Sequence, residues 1–200
     1  MDNLLCDMII SPSMAEYIID RYTDFYVDYY SAMFEATQGR IDILRIADDF
    51  GTQIGSLISM ELFSKFIKPK VKKLVDMAHA YGVKVMFHSC GSVIDYIDEL
   101  IEVGVDILDP IQTQAERMDP AYIKQRFGEK ICLHGSLDTQ YTLPKGSVEE
   151  VIEEVKDRIS VLGPGGGFII APSHTLQPDV PIQNIEAIYR TAREYGNYHM

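Results

Sequence analysis

A histidine and a cysteine two residues apart are the first residues of this chain whose types and spacing suggest chemistry. His88 and Cys90 follow an apolar run, residues 83–87, whose β-branched and aromatic side chains are typical of a buried strand. Side chains two apart on a strand point to one side, so the imidazole and the thiol would project together. Both are ligands that zinc prefers. Taken alone, however, the pair is better explained by a core histidine beside an inert buried cysteine.

Other candidate strands also end in titratable side chains, and this changes the interpretation of the pair. One shared site explains the coincidence better than several unrelated polar strand ends, because functional groups of parallel α/β folds collect at the carboxyl ends of the strands. The groups are Asp48 and Asp49 after residues 41–47, Asp109 in 105–110, His134 at the tip of 130–134 with Asp138 just beyond, and His174 after 168–171.

The aspartate pair at the end of the first strand leaves two interpretations open. Two aspartates shortly before Gly51 are typical of a turn whose loop they cap. Near a bound ligand, Asp48 or Asp49 could instead share a proton or orient a metal-bound histidine. The pair by itself is compatible with both roles.

Helical segments separate the strands and complete a regular alternation. A long helix over about residues 12–38 begins at Ser11-Pro12 and carries an aromatic stripe that predicts a core or interface face. Further helices are predicted from Ser59, from Asp119-Pro120, and from Ser147, where Glu150 completes a capping box. Strand followed by helix, five times, predicts an α/β fold with parallel strands.

Composition limits the classes of partner. With 46% hydrophobic residues, the 200-residue chain can bury the core of one domain. A formal net charge of −12 and the lack of a basic cluster argue against nucleic acid and anionic membranes. No apolar stretch reaches membrane-spanning length. Three widely spaced cysteines and no recognisable leader lead us to expect a reducing cytoplasm.

Five short motifs together resemble the uroporphyrinogen decarboxylase family from about Asp7 to the end of the chain. That family includes cofactor-free tetrapyrrole decarboxylases and zinc methyltransferases that move methyl groups between a corrinoid and a thiol, and its members fold as (β/α)8 barrels. The resemblance implies that residues 1–200 form a single partial domain, the C-terminal five βα units of a TIM-type barrel. The motifs are DDFGTQ at 48–53, HSCG at 88–91, HGSLD at 134–138, APSH at 171–174 and PDVP at 178–181.

The resemblance is incomplete at the amino-terminal side. The family barrel has eight strands, and neither the first strands nor the arginine-bearing motif with which the decarboxylases hold substrate carboxylates has a counterpart in this chain. An open sheet of five parallel strands would leave edges and one face uncovered. We therefore expect a fragment or split-gene product that self-associates or binds a chain supplying the missing strands.

The metal ligands are the second point of departure. His88 and Cys90 match the zinc-binding pair of the methyltransferase branch, but that branch has a further cysteine where this chain has Ser173-His174. His174 resembles a histidine of the decarboxylases, yet imidazole is itself a zinc ligand. The resemblance therefore implies a zinc site of His88, Cys90 and His174 with an open fourth position.

Three functions follow from the resemblance. In zinc-dependent methyl transfer, which we favour because a His-x-Cys pair has no evident purpose in a cofactor-free site, Asp48 or Asp49 orients a ligand or handles a proton. The substrates are then a small thiol and a methyl-corrinoid protein. In uroporphyrinogen decarboxylation, Asp49 stabilises a protonated pyrrole while His134 and His174 assist binding and proton transfer, without metal.

The third alternative is a non-catalytic barrel half that binds a corrinoid or tetrapyrrole, or completes the barrel of another chain. In the enzyme alternatives, the resemblance places Gln53, Asp109 and Asp138 among the residues that contact substrate.

Overall fold

The computed structural model describes residues 2–196, and its framework is one sheet of five strands in the order β1-β2-β3-β4-β5, every neighbouring pair parallel. Helical segments connect successive strands, as parallel pairing requires. This confirms the α/β class and the five βα units. The predicted domain of 1–200 extends beyond the described part at residues 1 and 197–200. The strands are β1 Ile43–Ala47, β2 Lys84–His88, β3 Ile107–Ile111, β4 Cys132–Leu137 and β5 Phe168–Pro172.

The helices begin largely where capping residues predict. Ser59 Oγ accepts a hydrogen bond from the Leu62 amide, and Ser147 and Glu150 form a reciprocal capping box. Within residues 2–196, no helix combines the length and apolarity needed to cross a membrane. The helices are α1 Asp2–Ile10, α2 Pro12–Thr37, α3 Met60–Leu62, a π-helical turn Phe63–Ile67, α4 Lys68–Ala80, a 3-10 turn Ile94–Tyr96, α5 Ile97–Glu102, α6 Pro120–Phe127, α7 Thr142–Lys145, α8 Val148–Leu162 and α9 Ile182–Tyr195.

The fourth strand is longer than expected. The sequence predicts that it ends at His134, but β4 continues to Leu137 because residues 135–137 pair with residues 170–172 of β5. A Cβ at Gly135 would lie 2.8 Å from the Pro110 Cβ, so the glycine allows close packing against β3 and is not a turn residue. The placement of His134 at the strand tip is therefore wrong: it lies within β4.

The aromatic stripe of α2 is mostly exposed, so the core interpretation of this stripe is wrong. Phe25 stacks on Tyr29 on the solvent side of the helix, and the exposed Tyr26 stacks on Tyr30, which is half-buried against the core. Ion pairs also join helix α2 to α4, and one of them connects Asp24 to Lys73 at 2.5 Å. Helical periodicity identified an apolar face correctly but not what covers it. The interface interpretation stays a prediction.

The two faces of the sheet differ in burial. One face packs against the helices through buried side chains such as Leu44, Phe87 and Leu133. Alternation places Ile43 of β1 and Ile169 of β5 on the other face, where 42% and 39% of their surfaces are exposed. In a closed barrel this face would line the interior. The arrangement is that of a partial TIM-type barrel, as expected.

Two glycines allow the loops after β1 and β2 to meet. A Cβ at Gly51 would lie 2.5 Å from the Cys90 carbonyl oxygen, and one at Gly91 would lie 2.6 Å from the Gly51 carbonyl carbon. Ser92 N donates to Thr52 O at 2.8 Å and closes the contact. The loop that carries Cys90 is therefore fixed against the loop that carries the aspartate pair.

We predict that Gly91→Ala destabilises the protein far more than Gly165→Ala. Both glycines have positive φ, +85° and +77°, so alanine costs about 1–2 kcal/mol of backbone strain at either position. At Gly165 no atom lies within 4 Å of the added methyl, whereas at Gly91 it meets backbone, which adds about 1–3 kcal/mol. Urea unfolding of the two variants measures the difference, and equal destabilisation would contradict this account.

Candidate functional site

His88 is the last residue of β2 and is held by contacts at both of its ring nitrogens. Nδ1 lies 2.8 Å from Asp109 Oδ2, and Nε2 lies 3.4 Å from Cys90 Sγ. A carboxylate only accepts hydrogen bonds, so Nδ1 carries the proton and donates it to Asp109. In the neutral imidazole the lone pair of Nε2 then faces the thiol, which is the orientation that a metal ligand requires.

Asp109 joins side chains from three other strands. Its Oδ2 also accepts a hydrogen bond from Arg45 Nε at 2.9 Å, and its Oδ1 lies 2.7 Å from His134 Nδ1. Burial alone would raise the pKa of the Asp109 carboxyl, but the hydrogen bonds of His134, His88 and Arg45 lower it far below its ordinary range. Asp109 is therefore ionised at neutral pH. That it contacts substrate stays a prediction.

Cys90 and His174 complete a three-residue cluster with His88. One ligand atom from each lies within 4.8 Å of the other two, and the imidazole rings of His88 and His174 are 6.0 Å apart between centroids. Nitrogen and sulfur ligands on tetrahedral zinc are about 3.5 Å apart, given bond lengths of about 2.0 and 2.3 Å, close to the separation of His88 Nε2 and Cys90 Sγ. The donor set fits zinc, and the His88–Cys90 separation matches a zinc site.

The Cys90 thiol is protonated in the absence of a cation. Burial raises its pKa, and the negative charges of Asp49 and Asp109 raise it further. A metal ion bound here would release that proton, so binding would be coupled to pH.

The two aspartates after β1 have different surroundings. Asp49 Oδ1 accepts the Cys90 amide at 2.9 Å and lies 3.9 Å from His88 Nε2, so this carboxylate holds the neighbouring loop as well as facing the histidine. Asp48 lines an apolar cavity of about 650 Å³ between α2 and the sheet, where partial burial and the charge of Asp49 raise its pKa. Asp49 is thus the aspartate that belongs to the cluster.

Gln53 and Asp138 are both predicted to contact substrate, but their surroundings differ. Gln53 lines a pocket of about 270 Å³ together with Cys90 and His174. Asp138 is buried and accepts hydrogen bonds from the backbone amides of residues 140–142, so its observed contacts cap the turn into α7. Substrate contact by either residue stays a prediction.

Two residues of the site escaped the sequence-based interpretation. Arg45 contacts Asp109 from β1. It is two residues from both Ile43 and Ala47, and this spacing on a strand was the available signal that the three side chains share one face. Gln112 directly follows β3, and its Oε1 accepts the Gly91 amide at 2.7 Å. The only sequence signal for Gln112 was its position as the first polar residue after a buried strand.

Comparison with known proteins gives relatives of two kinds. Methylcobamide:CoM methyltransferase MtaA of Methanosarcina barkeri is 26% identical over 180 residues, which cover 90% of this chain and 49% of that protein. Uroporphyrinogen decarboxylase of Mannheimia succiniciproducens is 22% identical over 194 residues, which cover 94% and 51%. The chain spans about half the length of the curated relatives it matches.

A solved methyltransferase from Methanosarcina mazei shares the fold, with a TM-score of 0.79 at 22% identity over 98% of this chain and 54% of that chain. The family model described as Uroporphyrinogen decarboxylase (URO-D) matches residues 1–195. Since this match covers almost the whole chain and agrees with the fold, the chain belongs to the uroporphyrinogen decarboxylase family.

Proposed function

We propose that this chain provides the metal-binding half of a zinc-dependent methyltransferase acting between a methyl-corrinoid protein and a small thiol. The observation that carries the proposal is the convergence of His88, Cys90 and His174 at the carboxyl ends of the strands, with the remaining nitrogen of His88 directed at Asp109. Three protein ligands and one open position are the composition of a catalytic zinc site. The methyltransferases among the relatives support the same reading.

In this function each residue has a task that its contacts explain. Asp109 fixes the tautomer and the orientation of His88, and Asp49 fixes the backbone of Cys90. Bound zinc would lower the pKa of the substrate thiol so that it reacts as a thiolate. His174 comes from the loop after β5, so the ligand set is complete only when β2 and β5 are both in place.

The decarboxylase alternative is supported by one observation, the side chain of Arg45. It is half-exposed, with only Nε used by Asp109, so its terminal nitrogens could hold a substrate carboxylate beside His134.

Zinc analysis and a porphyrinogen decarboxylation assay on the same preparation separate the two functions. Zinc-free folded protein that decarboxylates uroporphyrinogen would exclude the methyltransferase proposal. A non-catalytic subunit would show neither methyl transfer nor decarboxylation, alone or with a partner chain.

Cys90→Ser is expected to abolish zinc retention, whereas Cys132→Ser is not. Serine replaces a thiolate ligand by a far weaker one, while Cys132 begins β4 at the opposite end of the sheet from the cluster. Elemental analysis of protein purified without added metal measures the zinc content of both variants and the parent chain. Equal loss of zinc from both variants would contradict the assignment.

Asp109→Asn is expected to weaken zinc binding by about 10- to 100-fold, because the residue that orients His88 loses its charge. Asp119→Asn is the matched control: it removes the same charge, but at a helix N-cap where asparagine serves equally well. Competition with a chromogenic zinc chelator gives both affinities. An unchanged affinity in Asp109→Asn would show that the histidine is held by other contacts.

We further propose that the open face of the sheet is covered by association, either with another copy or with a chain carrying further strands. The isolated chain should then self-associate, and Ile43→Asp should shift it toward monomer because it places a charge on that face. Ile54→Asp, at a loop residue 76% exposed, should leave association unchanged. Sedimentation across a dilution series tests this. A compact, cooperatively melting parent monomer at low micromolar concentration that binds no hydrophobic dye would refute it.

A further inference from the structure

The cluster of His88, Cys90 and His174 separates two cavities of different chemistry. On one side lies a cavity of about 350 Å³ that contains Arg45 and His134. On the other side is the pocket of about 270 Å³ described above, which we call the amide lobe and define by Gln53, Gln112, Gln140 and Gln177 around Cys90 and His174. Its volume lies just below the range of small-molecule sites, about 300–1,000 Å³, so it suits a ligand of a few heavy atoms.

The amide lobe has no fixed charge of its own. None of the described residues that line it is Lys, Arg, Asp or Glu. The neighbouring charge is the Asp49 carboxylate, which accepts a hydrogen bond from the Cys90 amide, and the chain as a whole carries a formal net charge of −12. The charge of a bound zinc ion would be balanced by the Cys90 thiolate and the substrate thiolate. An anionic tail entering the lobe would therefore lose solvation without pairing with a cationic side chain, and the field of the acidic chain would be unfavourable.

Two glutamines present opposite hydrogen-bonding groups to the lobe. Gln112 uses its Oε1 to accept the Gly91 amide, which leaves its NH2 group as donor. Gln177 uses its NH2 group to donate to the Thr175 carbonyl at 3.3 Å, which leaves its Oε1 as acceptor. Because the partners are an N–H and a C=O, the orientation of each amide is determined by its own contact.

A ligand group that both donates and accepts hydrogen bonds matches this pair. A hydroxyl or a carboxamide does both, whereas a sulfonate or carboxylate only accepts and an ammonium only donates. We infer that the amide lobe binds the tail of the substrate thiol, and that this tail is an uncharged hydroxyl or carboxamide group. The inference rests on the proposed function, since it is the zinc cluster that makes the neighbouring ligand a thiol.

The test uses isothermal titration calorimetry at neutral pH to compare the binding of thiols of similar length to the zinc-loaded 200-residue chain. Mercaptoethanol and mercaptopropionamide are the uncharged probes, and mercaptoethanesulfonate is the anionic probe. We expect both uncharged thiols to bind at least about tenfold more tightly than the sulfonate, the factor that one well-made hydrogen bond provides.

A charge-introducing variant makes the test specific to the lobe. Gln177→Lys removes the acceptor and adds a cation, so it should abolish or reverse the preference for uncharged tails. Gln125→Lys, at an exposed position of α6 away from the lobe, adds the same charge and should leave the preference unchanged. Both residues are exposed, so both variants should fold.

The possible results separate this inference from the proposed function. A parent chain that retains zinc but prefers the sulfonate, binds all three thiols equally, or binds none would overturn the inference and leave the zinc site standing. A Gln177→Lys variant with the parent's preference would do the same. A chain that binds no zinc would overturn the proposed function, and the inference with it.

Discussion

The carboxylate of Asp109 is the interaction on which the site depends. It belongs to β3 and joins Arg45 of β1, His88 of β2 and His134 of β4, so one buried anion connects four of the five strands at their functional end. A buried anion is stable only when donors surround it, and three donors do so here. The order of the strands therefore determines the tautomer of His88 as much as the local sequence does.

The loops add a second constraint that operates through the backbone. The contact between Gly51 and Gly91 excludes side chains, and the Asp49 carboxylate holds the Cys90 amide across it. Cys90 is thus positioned by its neighbouring loop, whereas His88 is positioned by the sheet. His174 is exposed and comes from the loop after β5, and it is the member of the cluster with the fewest restraining contacts. A cluster with two fixed members and one freer member suits the proposed metal site, which would have to admit substrate.

Local sequence signals predicted the fold well and the site in part. The alternation of strands and the helix caps such as Ser59 and Ser147 are local signals, so they located the five βα units. They also predicted that His88, Cys90 and His174 meet at one edge of the sheet. The end of β4 was misplaced because pairing with β5, a distant interaction, continues the strand through Gly135. Arg45 and Gln112 were missed for the same reason: their partners are 64 and 21 residues away in the chain.

The aromatic face of α2 gives the molecule an optical property. The chain has no tryptophan, and five of its 12 tyrosines, at positions 17, 22, 26, 29 and 30, lie on this one helix. Its fluorescence at tyrosine wavelengths therefore comes from tyrosine alone, and a large part of the emitting rings belongs to one helix. Phe25 and Tyr29 stack there, as do Tyr26 and Tyr30, so the emission senses the local environment of neighbouring rings. Without any added label, the protein carries its own reporter of whatever comes to lie against that helix.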